Sequence, residues 1–162
     1  MAEKKSKTEQ ATFAAGCFWG VQEAFDRLRG VIKTEVGYTG GHLEKPSYED
    51  VCSNRTGHAE AVRVEFDPTI ISYEKLLDTF WSIRDPTQVD RQGPDVGSQY
   101  RSVIFFHTKD QQKQAQQFKE KLDKSKKFEK PIATLIVAAT VFWSAEEYHQ
   151  HYLKKRGQFM CH

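Results

Sequence analysis

Five residues, Gly-Cys-Phe-Trp-Gly at positions 16–20, separate two different hydrophobic patterns and so fix where the chain must turn. The uncharged residues before them predict a buried strand over about 12–16. After them a helix is predicted over about 18–29, because Gly30 lies where a glycine commonly ends a helix. Apolar residues recur along that helix with the spacing of one face, at Phe18, Val21, Phe25 and Leu28.

Cys17 is thereby placed at a strand-to-helix junction, in or just before the first helical turn. Unpaired backbone N–H groups and the helix dipole stabilise an anion there, which lowers the pKa of a thiol and favours the reactive thiolate. Gly16 and Gly20 leave space for a substrate, and an apolar wall is supplied by Phe18 and Trp19. A buried structural cysteine fits the same local pattern, so both roles are open on these grounds.

Composition places the chain among ordinary globular proteins. Its 162 residues suffice for one domain, and its net charge of +2 gives no basis for a nucleic-acid or membrane-surface partner. No apolar run reaches the roughly 18 residues of a membrane-spanning helix. The first ten residues are polar and lack the apolar core of a signal peptide, so we expect a cytoplasmic protein, and we expect it to be a monomer.

Three cysteines, Cys17, Cys52 and Cys161, are too few and too widely spread for a disulfide framework. No paired metal-ligand spacing is evident, so no metal is expected. Cys161 lies one residue before the end of the sequence, where a thiol suits the role of a resolving cysteine that attacks another sulfur. Cys52 is interpreted as structural.

The remaining patterns predict an α+β domain with two layers. Strands are expected over about 31–38, 58–66, 100–106 and 132–139. Helices are expected from Ser72, from Thr108 and, after a capping box, from Ser144 to about Lys155. The first six elements follow the order β-α-β-β-α-β of a ferredoxin-like split βαβ plait, with a mixed, largely antiparallel sheet, an extra C-terminal α-β-α unit and a mobile tail.

This element order predicts a single domain over residues 11–157, which the resemblance given below makes catalytic. The domain lies between a disordered segment, 1–10, and a tail, 158–162, that carries Cys161. Residues 85–99 hold two prolines and two glycines and predict an unstructured loop. Loops of that length inside compact domains are more often functional than not.

Glu60 conflicts with its predicted surroundings. The strand at 58–66 alternates in polarity, and three apolar residues share the face of Glu60, which must therefore be buried. A carboxyl group held among apolar neighbours has a raised pKa and stays a neutral acid, as a proton donor requires. The alternative is a glutamate at the end of the strand that turns to solvent or pairs with Arg63 or Arg101.

Three further polar residues are candidates on weaker grounds. Tyr48 and Tyr100 lie in a loop or at the start of a strand, and each can donate into a pocket or pack with its hydroxyl in solvent. Asp95, within the turn at 93–97, fits an ordinary turn residue.

Five motifs occur in a specific order: Gly-Cys-Phe-Trp-Gly at 16–20, Gly-Tyr-Thr-Gly-Gly at 37–41, Tyr48, Gly-His-Ala-Glu-Ala-Val at 57–62, and Gly-Ser-Gln-Tyr-Arg-Ser at 97–102. Together they closely resemble the type A peptide methionine sulfoxide reductases, which act on the S epimer of the sulfoxide. Tyr-His-Gln-His-Tyr at 148–152 also resembles the last helix of that family. The resemblance extends over nearly the whole chain.

The resemblance implies a reduction of methionine sulfoxide, free or in proteins, in which Cys17 attacks the sulfoxide sulfur. Glu60 would protonate the oxygen, and Tyr48 and Tyr100 would donate hydrogen bonds to it. Protonation makes the oxygen a better leaving group. Cys17 would become a sulfenic acid as methionine leaves.

The same resemblance implies the remaining roles. Phe18 and Trp19 would hold the substrate methyl group, and Asp95 would order the polar side of the site through water. Cys161 would attack the sulfenic acid to form a disulfide with Cys17, which thioredoxin would reduce, with no cofactor. Two alternatives stay open, namely a two-cysteine thiol peroxidase and a redox-sensing module that binds methionine peptides.

Overall fold

A six-stranded sheet carries the core of the molecule. The structure, a computed structural model, describes residues 8–53, 55–83, 85–92, 95–128 and 130–155. The strands are β1 (Glu9–Ala15), β2 (Val31–Thr39), β3 (Ala59–Phe66), β4 (Arg91–Gln92), β5 (Asp95–Val96), β6 (Ser102–Phe106), β7 (Leu135–Ala138) and β8 (Phe142–Ser144). The helices are α1 (Phe18–Asp26), α2 (Tyr48–Cys52), α3 (Tyr73–Ser82), α4 (Lys109–Ser125) and α5 (Tyr152–Lys155), with 3-10 turns at Ser98–Tyr100 and Glu147–His149.

The strand order in the large sheet is β7-β6-β1-β3-β2-β8, and β4 and β5 form a separate pair. All neighbours in the large sheet are antiparallel except β6 and β7, which are parallel. In the centre, Phe13 of β1 lies opposite Val62 of β3 on one side and Ile104 of β6 on the other. The predicted α+β class and the mixed, largely antiparallel sheet are therefore confirmed.

Phe13 anchors the main core between the sheet and two helices. Its ring centroid lies 5.0 Å from that of Phe25 in α1 and 5.4 Å from that of Phe80 in α3. All three side chains are completely buried. Burial of an aromatic side chain is among the largest single contributions to a core, so this stack fixes α1, and with it the residue that precedes α1, against the sheet.

The second face of the sheet is covered as well. Ala59 and Ala61 are buried there beside Phe105 and form a smaller cluster with Phe142 against them. The prediction that β3 alternates between a buried and an exposed face was therefore only half right. Both of its faces are buried near its start, where Glu60 lies.

Several element boundaries differ from the prediction. Glu9 and Gln10 belong to β1 and not to a disordered segment, since they pair with Phe66 and Glu65. The loop predicted over 85–99 contains β4, β5 and a 3-10 turn that ends at Tyr100. Helix α1 ends at Asp26, and the residues that cap α3 and α4, Ser72 and Thr108, are as predicted.

The helix predicted from Ser144 to Lys155 is wrong. Ser144 pairs with Gly37 in the sheet, and its hydroxyl bonds the Glu35 carboxylate, so it cannot cap a helix. Farther on, the Gln150 side chain accepts the N–H of Val36 and donates to its carbonyl, both at 3.0 Å. His151 then has φ +53°, which ends the irregular segment before α5. Tertiary hydrogen bonds override local helix propensity here.

None of the helices in the described ranges has the length and apolar character needed to cross a membrane.

Gly37 provides a test of how β8 is attached. A Cβ added there would lie 2.4 Å from the Trp143 carbonyl oxygen and 2.5 Å from the Phe142 ring. Gly37→Ala is expected to displace β8 and to lower the free energy of unfolding by ~2 kcal/mol, as measured by urea denaturation. The exposed Lys33→Ala on the same strand is the control and should change it by less than ~0.5 kcal/mol. Equal stability of the two variants would contradict this packing.

Candidate active site

Cys17 is the N-cap residue of α1 and is partly exposed. Its carbonyl accepts the N–H of Val21 at 3.4 Å, which begins the helix. Gly16, just before it, has φ +96°, and a Cβ there would lie 2.9 Å from the Cβ of Gln92. The β4–β5 pair therefore packs directly against the backbone that presents the thiol. Only glycine satisfies both the positive φ and this close approach.

Glu60 lies on β3 with only 1% of its surface exposed. Its Oε1 accepts the backbone N–H of Phe18 at 3.2 Å, in the first turn of α1. Its Oε2 is buried and has no hydrogen-bond partner among the described residues. Arg63 and Arg101, the partners considered from sequence, bond instead to Glu35 and to the carbonyls of Ser98 and Gly57.

Burial raises the pKa of Glu60 well above its ordinary value, and the charge of Cys17 raises it further. The Phe18 N–H opposes this shift, and the charge of Asp95 adds to it. Such a shift favours the protonated form of the carboxyl group. The structure therefore places a carboxyl group with a raised pKa within electrostatic reach of the thiol at the start of α1.

Two phenols lie close to this carboxyl group. Tyr48 is the first residue of α2, and Tyr100 ends the 3-10 turn before β6. Burial is the main cause that raises the pKa of both hydroxyls, and the charge of Glu60 adds to it in each case. Both therefore stay protonated and able to donate hydrogen bonds. Asp95 of β5 lies at the same site, since its charge acts on Glu60 and Tyr100.

An aromatic group forms the apolar side of the site. The Phe18 ring is 1% exposed, and Trp19 is partly exposed, so Trp19 offers the more accessible surface. The Trp19 ring stacks on Tyr152 with centroids 3.9 Å apart and planes 12° apart. Its Nε1 donates to Nδ1 of His149 at 2.9 Å. The two residues of the predicted wall are thus supported by the segment that follows β8.

Glu146 ties that segment to α2. Its Oε2 accepts the backbone N–H of Tyr48, and its Oε1 accepts the hydroxyl of Tyr38, both at 3.0 Å. Burial alone would raise the pKa of Glu146, but these two hydrogen bonds, together with the backbone N–H of Glu146 itself and the charge of His149 when its ring is protonated, lower the pKa below its usual value of 4.5. The carboxylate is therefore charged at neutral pH and holds the start of α2 in place.

A family model described as peptide methionine sulfoxide reductase matches residues 9–162. The chain belongs to the peptide methionine sulfoxide reductase family. The MsrA protein of Methanoculleus marisnigri is 58% identical over 99% of this chain and 98% of its own length.

Among solved structures, reduced Mxr1 of Saccharomyces cerevisiae has a TM-score of 0.88 at 36% identity and covers 97% of this chain and 90% of its own. Mxr1 in complex with Trx2 has a TM-score of 0.64 at 25% identity, with 94% and 89% covered. This chain is a methionine sulfoxide reductase.

The structure of the reductase brings together most residues selected from the sequence. Cys17, Glu60, Tyr48, Tyr100 and Asp95 surround one site, beside Phe18 and Trp19. Glu146, His149 and Tyr152 also border the site and are not predicted by the sequence patterns, although the motif at 148–152 is a signal that points to the last two. The incorrect helix over 144–155 concealed them.

The other two cysteines, Cys52 and Cys161, are not among these residues. Cys52 is exposed and hydrogen bonds with Tyr48 and Gln99, so it borders the site, while burial is the main cause that raises the pKa of its thiol. Cys161 lies outside the residues that the structure describes. Within the described ranges, no group of three or more His, Cys, Asp or Glu residues could hold a metal ion.

Glu146→Gln tests the attachment of α2 in the reductase. Because the pKa of Glu146 is lowered in the folded state, its contribution is present above pH 4.5 and is lost as pH falls through the folded value. The variant should lose ~1–3 kcal/mol of unfolding free energy at pH 7, and its deficit should shrink below pH 4.5.

Chemical denaturation at pH 7 and at pH 3 measures this. Glu147→Gln is the matched control, because the Glu147 side chain is 91% exposed. It should stay within ~0.5 kcal/mol of the parent. A deficit for Glu146→Gln that is the same at both pH values would contradict the assignment.

Proposed function

We propose that this reductase acts on the S epimer of methionine sulfoxide, free or in proteins, with Cys17 as nucleophile and Glu60 as general acid. One observation carries the proposal. The Glu60 carboxyl is 1% exposed, bonds the first turn of α1 and has its pKa raised by burial and, to a smaller extent, by the charge of Cys17. A neutral acid beside a nucleophile is what cleavage of an S–O bond requires.

In the first step the Cys17 thiolate attacks the sulfoxide sulfur while Glu60 delivers a proton to the oxygen. This attack forms an S–S bond between Cys17 and the substrate. The hydroxyl group then passes from the substrate sulfur to Cys17 Sγ, so that the S–O bond of the substrate and the new S–S bond both break, and methionine leaves with Cys17 as a sulfenic acid. The net exchange moves one oxygen atom from the substrate to the enzyme. Methionine sulfoxide is thereby reduced by two electrons, and Cys17 is oxidised by two.

Tyr48 and Tyr100 donate hydrogen bonds to the same oxygen. Their raised pKa values keep both hydroxyls protonated, and both lie close enough to Glu60 for its charge, when it is ionised, to raise these pKa values further. Donors aimed at an oxygen that gains negative character stabilise the transition state more than the ground state. Asp95 orders the polar side of the site through water.

Phe18 and Trp19 hold the substrate methyl group against the thiol. Trp19 is partly exposed and is fixed by Tyr152 and His149, so it forms a wall whose position is set before the substrate arrives. An apolar wall near a sulfur selects the orientation of the sulfoxide, which has an apolar methyl group and a polar oxygen on one centre.

Cys161 completes the cycle. Its thiolate attacks the sulfur of the Cys17 sulfenic acid, an S–S bond forms, and the oxygen leaves as water. Thioredoxin then reduces this disulfide, as the complex of the related Mxr1 with Trx2 suggests. The competing roles of a peroxidase or of a redox-sensing module have no specific observation in their favour.

We further infer that the central strands form a ferredoxin-like split βαβ plait. The order β6-β1-β3-β2, with antiparallel neighbours and α1 between β1 and β2, supports it. The catalytic domain begins with β1 at Glu9 rather than at residue 11 and extends to about residue 157, and 158–162 is a tail that carries Cys161. We also propose a cytoplasmic monomer.

Glu60→Gln tests the general acid. The variant cannot release a proton, so the sulfoxide step should slow by ~10²–10⁴ in rapid-quench single-turnover assays with an S-sulfoxide peptide. Because a general acid must be protonated, the rate of the sulfoxide step in the parent should fall as pH rises through the raised pKa of Glu60. The variant should lack this fall. Cys17→Ser is the control with zero turnover. A rate near that of the parent would make Glu60 structural.

Cys161→Ser tests the resolving cysteine. The variant should release one methionine per enzyme and then stop, with one oxygen added to Cys17 by peptide mass spectrometry. The parent, treated with one equivalent of S-sulfoxide, should lose two hydrogens, localised to Cys17 and Cys161. Cys52→Ser is the matched control and must still turn over repeatedly with thioredoxin. Repeated turnover by Cys161→Ser would overturn the assignment.

A further inference from the structure

The His149 ring packs against Tyr48, Phe18 and Trp19, the three aromatic residues that the proposed function places around the substrate. Its ring centroid lies 4.5 Å from that of Tyr48, 5.2 Å from that of Phe18 and 5.7 Å from that of Trp19. The residue itself is 1% exposed. It therefore cannot meet bulk solvent and acts only through these neighbours.

The hydrogen bond to Trp19 fixes the protonation of the His149 ring. An indole N–H is a donor and never an acceptor, so Nδ1 of His149 must accept at 2.9 Å and carry no proton. The neutral ring then has its proton on Nε2. Burial is the main cause that lowers the pKa of His149, with the charge of Glu146 opposing it, and this agrees with a neutral ring.

Nε2 is buried and has no hydrogen-bond partner within the part of the chain that the structure describes. A buried donor without a partner costs free energy, and an apolar side chain of similar size would remove that cost. Such a side chain would also leave the Trp19 indole without its acceptor. The presence of histidine is therefore explained by the acceptor on Nδ1 and not by packing alone.

The backbone that carries His149 is itself fixed. The His149 N–H bonds the Glu146 carbonyl at 2.9 Å, and the next side chain, Gln150, bonds both backbone groups of Val36 in β2. Tyr152 stacks on the indole of Trp19. Nδ1 of His149 is thus held in a fixed position relative to the sheet. The Trp19 indole is held by its hydrogen bond to this atom and by the stacked ring of Tyr152.

We propose that His149 is a positioning residue that sets substrate specificity by fixing the Trp19 indole as a rigid wall against the methyl group of the sulfoxide. This inference rests on the proposed function of Trp19. A rigid wall excludes a larger alkyl group, whereas a wall free to rotate admits it. Discrimination by one methylene in a rigid apolar pocket is about 10–200-fold.

Two amide variants test whether the hydrogen-bond acceptor must lie at the position of Nδ1 or whether any polar side chain at residue 149 suffices. In His149→Asn the side-chain oxygen takes the place of Nδ1, whereas in His149→Gln it reaches the place of Nε2. The ratio of kcat/KM for S-methionine sulfoxide to that for S-ethionine sulfoxide measures how strongly Trp19 excludes the larger alkyl group. We expect the Asn variant to keep this ratio within ~3-fold of the parent, and the Gln variant to lose at least ~10-fold of it.

His149→Leu supplies a third arm, because it removes both the acceptor and the unpartnered donor. Its unfolding free energy should stay within ~1 kcal/mol of that of the parent, because the unpartnered donor on Nε2 and the acceptor for Trp19 are lost together, while its specificity ratio falls as in the Gln variant. In the Trp19→Phe background, which lacks the indole donor, His149→Leu should produce no further change in the ratio. A further fall there, or equal ratios for the Asn and Gln variants, would overturn the proposal.

The indole N–H resonance of Trp19 gives a readout that does not depend on activity. Trp19→Phe identifies this resonance among those of the three tryptophans. It should keep its hydrogen-bonded shift in His149→Asn and lose it in His149→Gln and His149→Leu. A parent enzyme that fails to reduce S-sulfoxides would refute the proposed function, whereas an active parent with an unmoved resonance in all variants would refute only the role of His149.

Discussion

The hydrogen bond from the Phe18 N–H to Glu60 Oε1 joins the start of α1 to the middle of the sheet. It matters because it satisfies only one of the two carboxyl oxygens, leaving the other buried without a partner among the described residues. A second donor would favour the charged form and lower the pKa. The proposed role of Glu60 as general acid needs the opposite condition, a carboxyl group that is held in position and still keeps its proton. One backbone donor in an apolar setting provides it.

The rest of the fold keeps this arrangement rigid. The Phe13, Phe25 and Phe80 stack locks α1 to β1, and burial of both faces of β3 prevents Glu60 from turning to water. A folded chain tolerates a buried, incompletely satisfied carboxyl group only if alternatives cost more. Here packed side chains fill the positions that the Glu60 carboxyl group would otherwise take to reach water. The chemistry therefore depends on the packing of residues far from the thiol.

The parts of the site that could be predicted from sequence are those set by local pattern. Cys17 stands at a change from strand to helix periodicity, and Glu60 interrupts an apolar strand face, so each is visible in a short window. Glu146, His149 and Gln150 follow no such rule. Their segment carries a helix-capping pattern, but side-chain bonds to Tyr48, Trp19 and Val36 hold it in another conformation. Bonds between residues about 100 positions apart leave no trace in a local window. The order of the strands in the sheet is likewise set by contacts between distant residues and could not be predicted from local patterns.

Gln150 also bears on the outer boundary of the sheet. Strand β8 pairs with β2 only from Gly37 to Thr39, and at Val36 the amide of Gln150 and the N–H of Ala145 occupy the backbone groups that a further strand would use. Exposed backbone donors and acceptors at such an edge can template pairing with another molecule. One glutamine therefore does more than hold the backbone beside the neighbouring histidine: it occupies backbone groups at the edge of β2 that could otherwise pair with a strand of another molecule.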